Sequence, residues 1–174
     1  MSPKMNLDAL KANLSNPQRA FMWEFEIPAP KGTGSSDVWV LRAQSIEEPG
    51  RSFAAIDIPF KGTGGVRVPG KEVYDHEFTV KLVEGEDAAT FQAIQSWMKL
   101  VRDNVSGVGS PDGDIKTDAV VRLLTLAGTV SKQIKIVGMY PQAKPKVALS
   151  YDENAIENYE VTFAYDRWEE MSVS

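Results

Sequence analysis

A single stretch of helical period, set among segments of strand period, limits this chain more than any other feature. From Glu86 to about Asn104 the apolar residues Phe91, Ile94, Met98 and Val101 recur three and four apart, as one face of an amphipathic helix requires. Acidic Glu86 and Asp87 stand at its start, where negative charge suits the positive end of the helix dipole. Elsewhere apolar residues alternate with charged ones. A chain with one helix and many short alternating strands folds as a mainly β domain, an antiparallel two-sheet sandwich or barrel flanked by that helix.

The strands read as follows. In Phe21–Ile27, residues Phe21, Trp23, Phe25 and Ile27 share one face, and Pro28 and Pro30 end the segment. Lys31–Asp37 reads as a turn, Val38–Ile46 as a strand, and Pro49-Gly50 as another turn. Arg51–Phe60 is extended, Lys61–Gly65 forms a hairpin tip or open loop before Val66–Val68, and Pro69-Gly70 breaks the chain again. Val73–Val83 reads as the clearest long strand, with Tyr74, His76, Phe78, Val80 and Leu82 on one side. Beyond the helix, Ser106–Gly113 reads as a loop. Strands are expected at Ala119–Leu126, Ser131–Tyr140 and Val147–Tyr151, with Pro141 and Pro145 bracketing the last connection. Glu157–Trp168 closes the series.

At 174 residues the chain fits one domain, 1–174, large enough to need no disulfide or metal staple. It has no cysteine, as suits a reducing cytosolic origin. No apolar run is long enough to span a bilayer, and the first sixteen residues lack a signal-peptide core; no membrane anchor is expected. The net charge of −5 is uneven. From Asp152 to Ser174 seven acids face one base, Arg167, giving −6 and leaving +1 for the rest. Tight nucleic-acid binding needs clustered Lys and Arg, and this distribution argues against it.

Catalytic and ligand signals are weak. His76 is the only histidine, with no cysteine or second histidine to complete a triad or zinc site. Lys61-Gly62-Thr63-Gly64-Gly65 has its lysine before the glycines and no helix after them, unlike a phosphate loop. Asp112-Gly113-Asp114 lacks the spacing of a calcium loop. Glu47-Glu48 and Asp152-Glu153 read as surface acids. No catalytic residue, cofactor or metal is expected. Of four tryptophans, Trp23 and Trp97 read as core, and Trp168 reads equally as core or as a subunit contact.

Taken in order, several short segments resemble the tail tube protein family of contractile-tailed bacteriophages. They are Asn16-Pro17-Gln18-Arg19 before the first strand, Arg42-Ala43, Pro49-Gly50, Ile58-Pro59, Pro69-Gly70, Phe78-Thr79-Val80 and a helix ending near Trp97. The strongest are Lys132–Pro141, ending Gly138-Met139-Tyr140-Pro141, and the closing Tyr159–Glu169. The resemblance implies hexameric rings whose inner sheets join into a continuous barrel, stacked into a hollow tube. It further implies partners: other copies of the chain, a sheath, baseplate and terminator proteins, a tape measure, and genomic DNA held in the lumen without sequence reading. It places the protein in a virion tail assembled in the host cytoplasm. Phage-derived bacteriocin tubes and type VI secretion tubes share the fold and stand as the alternative. From a different class, a small β-barrel binding protein or an enzyme with an acidic cleft stands beside them.

Two expectations follow. An acidic lumen lets DNA slide, because like charge denies phosphate the salt-sensitive attraction of a basic channel. Glu47–Lys71 serves ring stacking, with Pro49, Gly50, Arg51, Phe53, Ile58, Pro59, Phe60, Lys61, Gly62, Gly64 and Gly65 as candidates beside Trp168, and Met1–Asn16 as an N-terminal arm. Ile56 adds to the apolar content of that loop.

Overall fold

In the computed structural model residues 17–30, 36–73, 75–144, 146 and 156–173 are described. The expected arm Met1–Asn16, most of the Lys31–Asp37 turn, the Val147–Tyr151 strand, Tyr74 and Asp152-Glu153 lie outside them. The elements run β1 (Trp23–Glu26), α1 (Asp37–Leu41), β2 (Ala43–Ile46), β3 (Ser52–Phe60), β4 (Thr63–Val73) and β5 (Glu77–Val83). Then come α2 (Ala89–Val101), α3 (Asp112–Ile115), β6 (Thr117–Leu124), β7 (Val130–Ala143), β8 (Asn158–Ala164) and β9 (Arg167–Met171). The expected mainly β, antiparallel fold with a flanking helix is what forms.

Two sheets share one strand. The path runs β1-β6-β7-β8-β5-β2, and β9 also pairs with β7. The first part of β7 pairs with β6 on one side and, over Gln133–Val137, with β9 on the other. Its last part pairs with β8 through Tyr140, Pro141 and Ala143. One sheet is thus β1-β6-β7-β9 and the other β7-β8-β5-β2.

Gly138 is the joint. Its φ of +69° suits glycine, and a Cβ there would stand 2.2 Å from a carboxylate oxygen of Asp166. Its N–H donates to Asp118 at 3.1 Å, and the β6–β7 register shifts beside it, as at a bulge that bends a strand. Replacing Gly138 by alanine is expected to cost about 2 kcal/mol, from left-handed backbone strain and displacement of Asp166. A lower denaturant midpoint at unchanged slope reports this; an unchanged midpoint refutes it.

Between the sheets lies an aromatic core. Trp39, Trp97 and Phe163 are fully buried, with Trp39–Trp97 centroids 5.4 Å apart and Trp97–Phe163 centroids 5.5 Å apart. Phe25 of one sheet meets Phe78 of the other edge to face at 6.4 Å. The start of α2 is held by charge. Glu84, outside the helix, accepts N–H bonds from Thr90 at 3.2 Å and Phe91 at 2.8 Å, satisfying donors that the first turn leaves orphaned. Arg42 ties Glu84 and Asp87 together, at 3.4 and 2.6 Å.

Several expectations are corrected. Val38–Ile46 is not one strand, because Asp37–Leu41 coils into α1. Burial of Trp39 against Trp97 overrides the β preference of the valines. Val73 ends β4, and β5 begins only at Glu77, because His76 takes a φ of +55° and breaks the run. Pro69-Gly70 lies inside β4 and Pro141 inside β7; each proline sits at or beside a register shift, where a missing donor is tolerated. Glu157–Trp168 divides at Tyr165-Asp166 into β8 and β9.

The helix is shorter than Glu86–Asn104, so Glu86 and Asp87 precede it. Its buried face is Thr90, Ala93, Ile94 and Trp97, while Phe91 is 40% exposed. Phe21 is likewise exposed, and Trp23 is half-buried.

Candidate assembly surfaces

The β3–β4 hairpin belongs to neither core sheet. β3 pairs with β4 alone, and every β3 residue is exposed. Its loop is Lys61-Gly62, both with positive φ, as a tight two-residue hairpin loop demands. The register sets Ile56 opposite Val68 and Ile58 opposite Val66, so these four side chains share one face. On the other face Asp57 lies opposite Arg67 and binds it at 2.6 Å, with Ala55 opposite Pro69. The ribbon therefore has an apolar side and a charged side. Ile56, Ile58 and Val66 are each more than half exposed.

The expected site residues divide into a base and an arm. At the base, Pro49 is buried, and the Gly50 carbonyl accepts a bond from Trp168 Nε1 at 3.4 Å. Trp168 is half-buried against the core. Arg51 pairs with Glu72 and stacks over the Phe53 ring at 5.2 Å. Along the arm, Phe53, Ile58, Pro59 and Phe60 lie on β3, Lys61 and Gly62 form the loop, and Gly64 and Gly65 lie on β4. Sequence reasoning missed the second half of the apolar face, Val66 and Val68. The signal was there in the alternation Val66-Arg67-Val68, but Pro69-Gly70 read as its end.

Two further surfaces are strand edges. β1 pairs only with β6, and β9 only with β7, so among the described residues the outer edges of the β1-β6-β7-β9 sheet are unpaired. β1 and β2, the ends of the strand path, flank a cleft of about 1010 Å³ lined by Phe21, Trp23, Leu41, Ile46, Glu24 and Arg122. No group of three or more metal-ligating side chains occurs among the described residues. His76 sits outside β5 with Nδ1 3.2 Å from the Tyr165 carbonyl oxygen. No helix of the described residues is long and apolar enough to cross a membrane.

Comparison with known proteins gives these surfaces a context. No family model matches the chain. It is 30% identical over 107 residues to the tail tube protein gp19 of Enterobacteria phage T4, a match spanning 60% of this chain and 65% of that protein. It is also 30% identical over 103 residues to tail tube protein gp19 of Enterobacteria phage T6, covering 58% and 63%. The chain thus spans slightly less than two thirds of the length of the curated relatives it matches.

In fold it matches a chain of the PVC sheath-tube complex, from an extracellular contractile injection system in its extended state. The TM-score is 0.63 at 14% identity, over 97% of this chain and 99% of the other. A chain of the anti-feeding prophage baseplate gives 0.67 at 10% identity, over 91% and 97%. In sequence the chain is thus similar to phage tail tube proteins over part of their length, and its fold matches that of chains from contractile injection systems.

Proposed function

We propose that this chain is a non-enzymatic structural subunit, one tail-tube domain, that polymerises into the hollow inner tube of a contractile phage tail through which the genome is delivered. The observation that carries the reading is the β3–β4 hairpin. An isolated two-stranded hairpin is marginal in water, and one with a continuous apolar face is stable only against a partner. Its occupant is a copy in the adjacent ring, with the residues from Pro49 to Gly65 as the stacking arm and Trp168 bracing the base through Gly50.

Ring closure falls to the β1 and β9 edges. Pairing β9 of one copy with β1 of the next extends the four-stranded sheet around the ring and removes both exposed edges. A sheath outside, baseplate and terminator proteins at the ends, and a tape measure with DNA inside complete the assembly in a virion tail built in the host cytoplasm. The likeness to injection-system chains over nearly the whole length favours one second reading, the inner tube of a phage-derived injection device.

Negative-stain microscopy of the purified full chain tests the proposal. Six-fold rings or tubes are the expected result. Monomers that persist at high protein concentration, with or without added tubes of related origin as seeds, would sink it.

A further inference from the structure

The outer face of the β1-β6-β7-β9 sheet is an array of compensated charge. Phe25, Val121 and Ile134 turn into the core, so their neighbours along each strand turn away from it. That outward face carries three cations. Arg122 bonds Glu26 at 2.6 Å, Lys135 bonds Asp118 at 2.9 Å, and Arg167 bonds Glu169 at 2.7 Å. Just beyond the sheet, Lys116 bonds Asp166 at 2.9 Å. The Lys135 ammonium holds the Asp118 carboxyl below the ordinary carboxylate range, and Glu169 raises Arg167. With Glu24 added, the face holds four carboxylates (Glu24, Glu26, Asp118, Glu169) against three cations (Arg122, Lys135, Arg167), a net of −1. The balance comes from pairing: each of the three cations has a carboxylate oxygen within 3 Å.

We propose that this face is the inner wall of the conduit, and that its carboxylates keep Arg122 and Arg167 from gripping a passing polyanion such as nucleic acid. The placement as inner wall rests on the tube reading; the masking of the arginines does not. A cation already neutralised within 3 Å releases no counterion when phosphate approaches, so it adds nothing to the salt-dependent attraction on which backbone binding depends. Such a wall needs no large negative charge to stay slippery. It needs each cation held.

The test uses the full-length chain and a short double-stranded DNA, with binding followed by fluorescence anisotropy across a salt series. Two isosteric double variants change the net charge equally. E26Q/E169Q unmasks Arg122 and Arg167, whereas E77Q/E86Q removes carboxylates that lie off this sheet. We expect E26Q/E169Q to bind about thirtyfold tighter than wild type at low salt. Its log affinity should fall with log salt at a slope of about −1.8, from two phosphates neutralised. E77Q/E86Q should match wild type.

Equal gains in both variants would show that only net charge matters, and would overturn the proposal. So would absence of any gain, or a wild-type protein that already binds with that slope. If E26Q/E169Q does not fold, E26Q and E169Q are scored singly, each expected at half the slope. Negative-stain images of the same samples separate the two claims: selective DNA gain without rings or tubes in any sample keeps the masking and rejects the conduit.

Discussion

Replacing Trp97 by alanine is expected to lower stability by about 3–5 kcal/mol, among the largest single-residue losses in this fold. Trp97 is fully buried and touches the rings of Trp39 and Phe163, so its removal leaves a cavity where β8 meets α1 and α2. Its indole N–H also donates to the Ile115 carbonyl at 2.8 Å, and that buried acceptor would lose its partner. Trp97→Phe keeps most of the volume and loses only the bond, so it should cost about 1–2 kcal/mol. Equilibrium denaturation at constant slope measures both. A Trp97→Ala loss below that of Trp97→Phe would show that the site collapses or is not packed as described.

The second large effect concerns polymerisation and leaves the subunit intact. Ile58→Glu with Val66→Glu puts two carboxylates opposite each other on the apolar side of the hairpin. Both positions are more than half exposed, at 51% and 61%, and surface changes of this kind shift stability by about 0.5 kcal/mol. In a stacked ring the same pair would be buried without partners, at a cost of several kcal/mol per subunit, multiplied around the ring. The expected result is a monomer with unchanged melting and no tubes by sedimentation or microscopy. Deleting Lys61–Gly65 should act in the same direction by shortening the arm. Normal tubes from either variant would remove the hairpin from the stacking contact.

Much of this architecture is legible in the residues because a half-buried strand writes its period into the sequence. Phe78, Val80 and Leu82, or Tyr159, Val161 and Phe163, alternate with polar neighbours and are buried as that alternation requires. The element around Trp39 was not legible. Five residues are too few to show a helical period, and what coils Asp37–Leu41 is a contact with Trp97, 58 positions away in the chain. The helix α2 was readable as an element but not in its facing. Its buried side follows Trp97 and Ala93, and small Ala93 and Thr90 carry no weight in a count of large apolar residues.

The apolar face of the hairpin, proposed as the stacking surface, was half legible. Exposed apolar residues on β3 stood out between turn signals, but their partners on β4 were hidden by a proline that reads as a stop and is tolerated in an unsupported ribbon. The edges β1 and β9 were invisible, since which strands lie outermost depends on pairings between residues up to about 100 positions apart.

The long shared strand β7 has a mechanical consequence. Because one continuous backbone belongs to both sheets, neither layer can slide on the other without tearing hydrogen bonds on either side of Gly138. The body of the subunit therefore bears load as a single block. The ribbon from Ser52 to Val73 shares no pairing with that strand. It can flex or peel while the block stays rigid, so in the proposed polymer a stiff brick carries a compliant latch.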